Sequence, residues 1–424
     1  MDAGYNLAQA LTDFADMLDD LEGDARADEV RRLREEARDM LEKVLSGQEE
    51  YLQSITEAVD VEAAEESIDE MENEAGMDDV DDPPEEEGDT TTYETHLPTP
   101  SALADTTLAL VTIHLSLWES TLPSRTPSDI EQSAVRSVLD RAGAFAPPGR
   151  QAELDLAEIK VLLTMDGLVW DLFKAEAKVG TGVERSLEGA VAALGALVAN
   201  LDLHPPDEQT VRADVLTTLA ETHTTIAKRM LFLTPQLPPG PSPLAQQAWF
   251  HLSQAVKHLT TAVDLPVNRF SPKLFKPSVL LSLSKASFAR AKLVDVNETA
   301  KRNHSQLMEN ATTYANRAAE GLEMRSTTVP YPAGWDAESL IRNVLLHQIR
   351  ISFFTPLQDE VSRCEIRSAE ISGNVIQRLK EVGDVERMVT RSDIERWVGE
   401  IEEEGWMGEG ERTCWKEVTA GLGN

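Results

Sequence analysis

Eight histidines are the first candidates for chemistry: His96, His114, His204, His223, His251, His258, His304 and His347. His251 and His258 fall on one helix face two turns apart. About 10.5 Å of helical rise separates them, too far to share one metal. His223 stands on an apolar stripe between Leu219 and Ile226, and His347 sits in Leu345-Leu346-His347-Gln348-Ile349. Both read as core or groove residues. Gly180-Thr181-Gly182 lacks the third glycine and the Gly-Lys-Ser/Thr of a phosphate loop, and it follows a helix instead of a strand. Asp78-Asp79-Val80-Asp81-Asp82 resembles a calcium loop in charge alone, because Pro83 stands where an EF-hand needs glycine. Cys364 and Cys414 are the only cysteines, too few for a disulfide framework and without zinc spacing. No Ser/His/Asp or Cys/His set stands out, so no catalytic, cofactor-binding or metal-ligating residue is predicted. An all-α enzyme would need a buried polar cluster, for instance His223 and His258 converging.

Charge is the stronger signal. The 80 residues from Leu45 to Ser124 contain 22 Asp and Glu and no Lys or Arg, in a chain of formal charge −36. Such a run repels itself and holds little apolar surface to offset the entropy of ordering, which predicts a mobile insertion. Its densest part contains Glu65, Glu66, Asp69, Glu70, Glu72, Asp78, Asp79, Asp81, Asp82, Glu85, Glu86 and Glu87, interleaved with Ile68, Met71, Met77 and Val80. These acids are the candidate contacts for a basic protein. The opposite bias occurs from Asn268 to Gln306, where Arg269, Lys273, Lys276, Lys285, Arg290, Lys292, Lys301 and Arg302 face only Asp295 and Glu298. That basic stretch could take an acidic peptide, or dock the insertion as a self-inhibiting latch. The overall charge argues against nucleic acid and anionic membrane as direct partners.

The elements that carry these groups read as helices. Leu154, Ala157, Val161, Met165, Leu168 and Leu172 recur at steps of 3 and 4, as do Val211, Val215, Leu219, Ile226 and Met230. Proline-rich breaks such as Pro235-Gln-Leu-Pro-Pro-Gly separate the periodic segments. The predicted pairs are 3–21 with 25–47, 101–119 with 128–144, 151–175 with 184–202, 207–232 with 243–264, 276–294 with 298–323, and 336–354 with 362–382. Residues 387–404 and a tail with Trp406 and Trp415 follow. No apolar run of 18 residues is seen, so no membrane span is expected. The N-terminus lacks the pattern of a signal peptide, which points to a reducing compartment, the cytoplasm, with the nucleus as the alternative.

Six helices carry small or aliphatic residues at spacings of 4 and then 3: Ala37-Leu41-Val44, Val135-Leu139-Ala142, Ala192-Ala196-Ala199, Ala255-Leu259-Ala262, Ala311-Ala315-Ala318 and Ala369-Gly373-Ile376. This spacing resembles the second helix of tetratricopeptide (TPR) repeats, with Pro266 after the Ala255 helix. The resemblance implies an all-α solenoid of about six antiparallel helix pairs. Its parts are a first pair over 1–47, an acidic and mostly disordered insertion over 48–100, a helical-repeat body over 101–404 and a C-terminal tail over 405–424. The layout is similar to that of interrupted-TPR chaperones. It implies a non-enzymatic scaffold for a basic partner of histone or ribosomal-protein type; an adaptor that binds a peptide or helix is the alternative. Lys285 and Arg290 are five apart and so do not form the carboxylate clamp of chaperone-binding TPR proteins.

Overall fold

A computed structural model describes residues 2–69, 97–120, 125–176, 184–203, 210–233, 243–266, 272–322, 335–354, 391–403 and 409–421. Among these residues there is no β-strand, and the protein is all-α. The helices are α1 (Asp2–Glu22), α2 (Ala27–Asp69), α3 (Pro100–Glu119), α4 (Asp129–Phe145), α5 (Gln151–Glu176), α6 (Glu184–Leu203), α7 (Thr210–Leu233), α8 (Pro243–Val263), α9 (Pro272–Lys292), α10 (Glu298–Gly321), α11 (Trp335–Phe354), α12 (Arg391–Glu403) and α13 (Glu409–Gly421). The predicted helix at 362–382 lies outside the described residues, as does Trp406. The chain forms two compact units, residues 1–164 and 165–424.

In the first unit α1 packs on α2, α2 on α3, and α3 on α4. Local chemistry sets the helix starts. Thr99 accepts a hydrogen bond from the Ala102 N–H at 3.1 Å, and Pro100 occupies the first helical position, where a missing N–H costs nothing. Ser128 and Glu131 form a reciprocal capping box on α4, and Arg125 grips Glu131 with both terminal nitrogens, at 3.1 and 2.9 Å. The Arg125 hydrogen bond, aided by those from Ser128, lowers the Glu131 pKa to about 2. α3 is long and apolar enough by composition to cross a bilayer, which the search for an apolar run missed; half of that stretch is buried within the protein.

α2 continues to Asp69, so helix reaches into the first part of the expected insertion, of which residues 70–96 lie outside the described residues. Gln48 and Leu52 are still buried, and the Ala- and Glu-rich sequence beyond them favours helix by intrinsic propensity. At the other end, the expected tail contains α13, whose Trp415 is completely buried. Trp415 and Val418 pack with Ile394, Trp397 and Ile401 of α12 against Leu346 and Ile349 of α11.

The second unit is built on close-packed neighbours: α6 with α7, α7 with α8, α8 with α9, α9 with α10, and α10 with α11. One core joins Ala213, Leu216 and Ala220 of α7 to Ala255, Leu259 and Ala262 of α8, Val279 and Leu283 of α9, Ala318 of α10 and Val344 of α11. The small residues allow close approach. Ala255, Ala262, Ala311, Ala315 and Ala318 are all buried, as the 4-3 spacing predicted. Gly321 continues this logic: a β-carbon there would lie 2.9 Å from Pro277 Cγ of α9. The α6 register is different from that predicted. Ala192, Ala196 and Ala199 are exposed, and the buried stripe is Leu187, Ala190, Leu194, Leu197 and Leu201. Leucine removes more apolar area from water than alanine, so the leucine stripe takes the inside.

Candidate functional site

The acidic region begins on described structure. α2 has 43 residues against 21 in α1, and its last described buried side chain is Leu52. From Gln53 to Glu57 every residue is exposed, Ile55 included. Glu65, Glu66 and Asp69 lie on the final turns of this helix. Glu70, Glu72, Asp78, Asp79, Asp81, Asp82, Glu85, Glu86 and Glu87 lie outside the described residues. The acids of the helix therefore follow directly on a stretch that no longer contributes to the core.

The predicted basic patch is divided by its structure. Lys276 and Lys285 are exposed on α9, Lys301 and Arg302 on α10, and Lys273 lies in the first turn of α9. Arg290 instead stacks over Trp249 of α8, 4.2 Å from the ring centre. Burial lowers its pKa. Lys292 donates to Glu411 Oε2 at 3.1 Å and lies 3.7 Å from the ring centre of Phe354. Arg269 lies outside the described residues, and two of the other seven cations, Arg290 and Lys292, thus hold helices together.

The densest chemistry is a histidine cluster between α7 and α8. His223 Nδ1 and His251 Nδ1 are 2.9 Å apart, so one nitrogen donates and the other accepts. The His258 ring stacks on His223 with planes 2° apart and centroids 5.8 Å apart. Phe250, 54% exposed, meets His251 edge to face. Burial first, then the neighbouring His251 and His258, lowers the His223 pKa to about 4. His251 and His258 are also lowered by burial; the Glu188 carboxylate opposes this at His251, while Lys257 reinforces it at His258. Each shift favours the neutral ring. Spacing along α8 correctly set His251 and His258 two turns apart, and His223 meets His258, the convergence named for an all-α enzyme, with His251 as a third ring that the spacing did not join to it. Among the described residues no group of three or more His, Cys, Asp or Glu is arranged to hold a metal ion.

His347 is a satisfied core residue, as its apolar setting suggested. The Ser284 hydroxyl donates to the Ala311 carbonyl at 2.6 Å, and His347 Nε2 donates to Ser284 Oγ at 2.9 Å. Asp166 and Arg229 form a second buried polar contact at 2.5 Å, with the guanidinium 4.8 Å from the centre of Trp170.

Comparison with protein-family models, with curated proteins and with solved structures finds no match.

Proposed function

We propose that this protein is a non-enzymatic helical scaffold or chaperone that holds a basic protein partner, of the kind represented by histones or free ribosomal proteins. One observation carries the reading: the base-free acidic segment starts as a continuation of α2 beyond its last described buried residue, Leu52. Glu57, exposed beyond Leu52, is the first acid of that continuation. Acids presented this way raise encounter rates with a cationic partner and neutralise it once bound. The stacked helices supply a rigid support, and the buried 4-3 seams of α2, α4, α8 and α10 favour diverged TPR-type pairs as its repeating unit.

Deletion of residues 57–89 tests the reading, because it removes the acids while leaving Leu52 and the helix before it intact. Binding of purified core histones at low ionic strength weakens by tenfold or more in the deletion variant. Equal binding by both chains would remove the electrostatic role. An adaptor that uses its helical faces alone predicts that equality.

A further inference from the structure

α1 carries two apolar stripes. Ala8, Leu11, Ala15 and Leu18 form the stripe turned toward the α2 side of the helix, where Ala15 and Leu18 pack with Val30 and Leu33. A second stripe runs beside it: Ala3, Leu7, Ala10, Phe14 and Met17, at steps of 4, 3, 4 and 3. Leu7 is 49% and Phe14 44% exposed, Ala3 and Ala10 are exposed, and Met17 is half-buried. This repeat is that of a helix seam into which another helix inserts its own side chains. One face of α1 has such a partner in α2; the other has none among the described residues.

The surrounding charge says what kind of helix fits. From Met1 to Ala25 there are seven Asp and Glu and no Lys, Arg or His. Arg34 of α2 takes Asp16 and Asp19, at 2.8 and 3.1 Å. Asp13 stays exposed beside Phe14, with only the neutral amide of Gln9 donating to it, at 2.9 Å. A second copy of α1 would set six acids against six, which opposes pairing. We infer that the Leu7–Phe14 face of α1 docks an amphipathic α-helix whose apolar stripe is flanked by Lys or Arg, supplied by another protein. This rests on the reading of the partner as basic, and it assigns a helix-binding face separate from the acidic end of α2.

The test uses the full chain and, as probe, a synthetic helix of about three heptads with Leu on the seam and Lys on both flanks. Leu7→Ser combined with Phe14→Ser truncates half-exposed side chains. Ala10→Lys sets a cation on the same face without touching a buried group. Circular dichroism melts check that each variant keeps its fold. The wild-type chain binds the probe, both variants lose about tenfold or more in affinity, and the 57–89 deletion binds as the wild type does. A probe with Glu on its flanks does not bind. Unchanged affinity in both α1 variants overturns the inference; if the deletion then abolishes binding, the probe sits on the acidic end of α2 and the proposed function survives alone. A wild-type dimer that the double variant dissociates also overturns it, because a second copy then covers the face.

Discussion

Glu411 Oε1 accepts from Arg350 Nε at 2.6 Å, while its Oε2 accepts from Lys292 Nζ at 3.1 Å. One carboxylate of α13 therefore ties α11 to the end of α9. The Glu411 side chain is 1% exposed and that of Arg350 4%. Phe288 packs against both cations, which lie 5.1 and 6.0 Å from its ring centre. Glu411→Ala takes a buried carboxylate away from both Arg350 and Lys292, and a loss of about 3–5 kcal/mol follows in chemical denaturation. Replacing Glu411 and Arg350 together with methionine costs less than Glu411→Ala alone, because the buried guanidinium is removed with its carboxylate and only Lys292 loses the Glu411 contact. A double variant as damaged as the single one would contradict this account.

Acid weakens the protein before its carboxylates titrate. His223 has its pKa lowered to about 4 in the fold against the ordinary 6.5, with burial as the main cause. Above pH 6.5 the folded and unfolded chains are both neutral there. Between 6.5 and 4 the unfolded chain binds a proton that the folded chain refuses, so stability falls as pH drops. His114, likewise lowered to about 4 by burial and then by Arg38, acts in the same direction in the first unit. For His223 the loss builds up across that window as the unfolded chain takes up its proton. Melting temperature measured from pH 7 to pH 4.5 falls in the native chain and falls less in His223→Phe.

Alanine seams distinguish the faces of α6 and α8. Ala255 is completely buried in the α7–α11 core, so Ala255→Leu overpacks it and costs about 1–3 kcal/mol. Ala196 is exposed, and Ala196→Leu stays within about 0.5 kcal/mol of the native chain. Urea titration of the two variants checks both values, and equal destabilisation would refute the assigned register.

Helix positions were readable because strong apolar periodicity and proline breaks coincide, as at Val211–Met230, followed by Pro235-Gln-Leu-Pro-Pro-Gly and then α8. The α6 face was not. Ala190-Val191-Ala192-Ala193-Leu194-Gly195-Ala196-Leu197 places small residues all round the helix, so 4-3 spacing selects no face and only the larger leucines do. The C-terminal helix was missed because α13 is short and charged; Trp415 and Val418, three apart, were its signal. The His223–His251 contact joins residues 28 apart and depends on how α7 meets α8. Spacing along one helix holds no information about that pairing. Arg290 and Lys292 were read as a free surface because composition does not reveal Trp249, Phe354 or Glu411 opposite them.

The salt dependence of partner binding tests the central claim most directly. Affinity for core histones, measured by titration calorimetry for the native chain and for the 57–89 deletion, is compared across a series of ionic strengths. The account predicts tight binding by the native chain that weakens steeply with salt, and a deletion variant with weak binding and a shallow slope. Identical affinities and slopes for the two chains would contradict it.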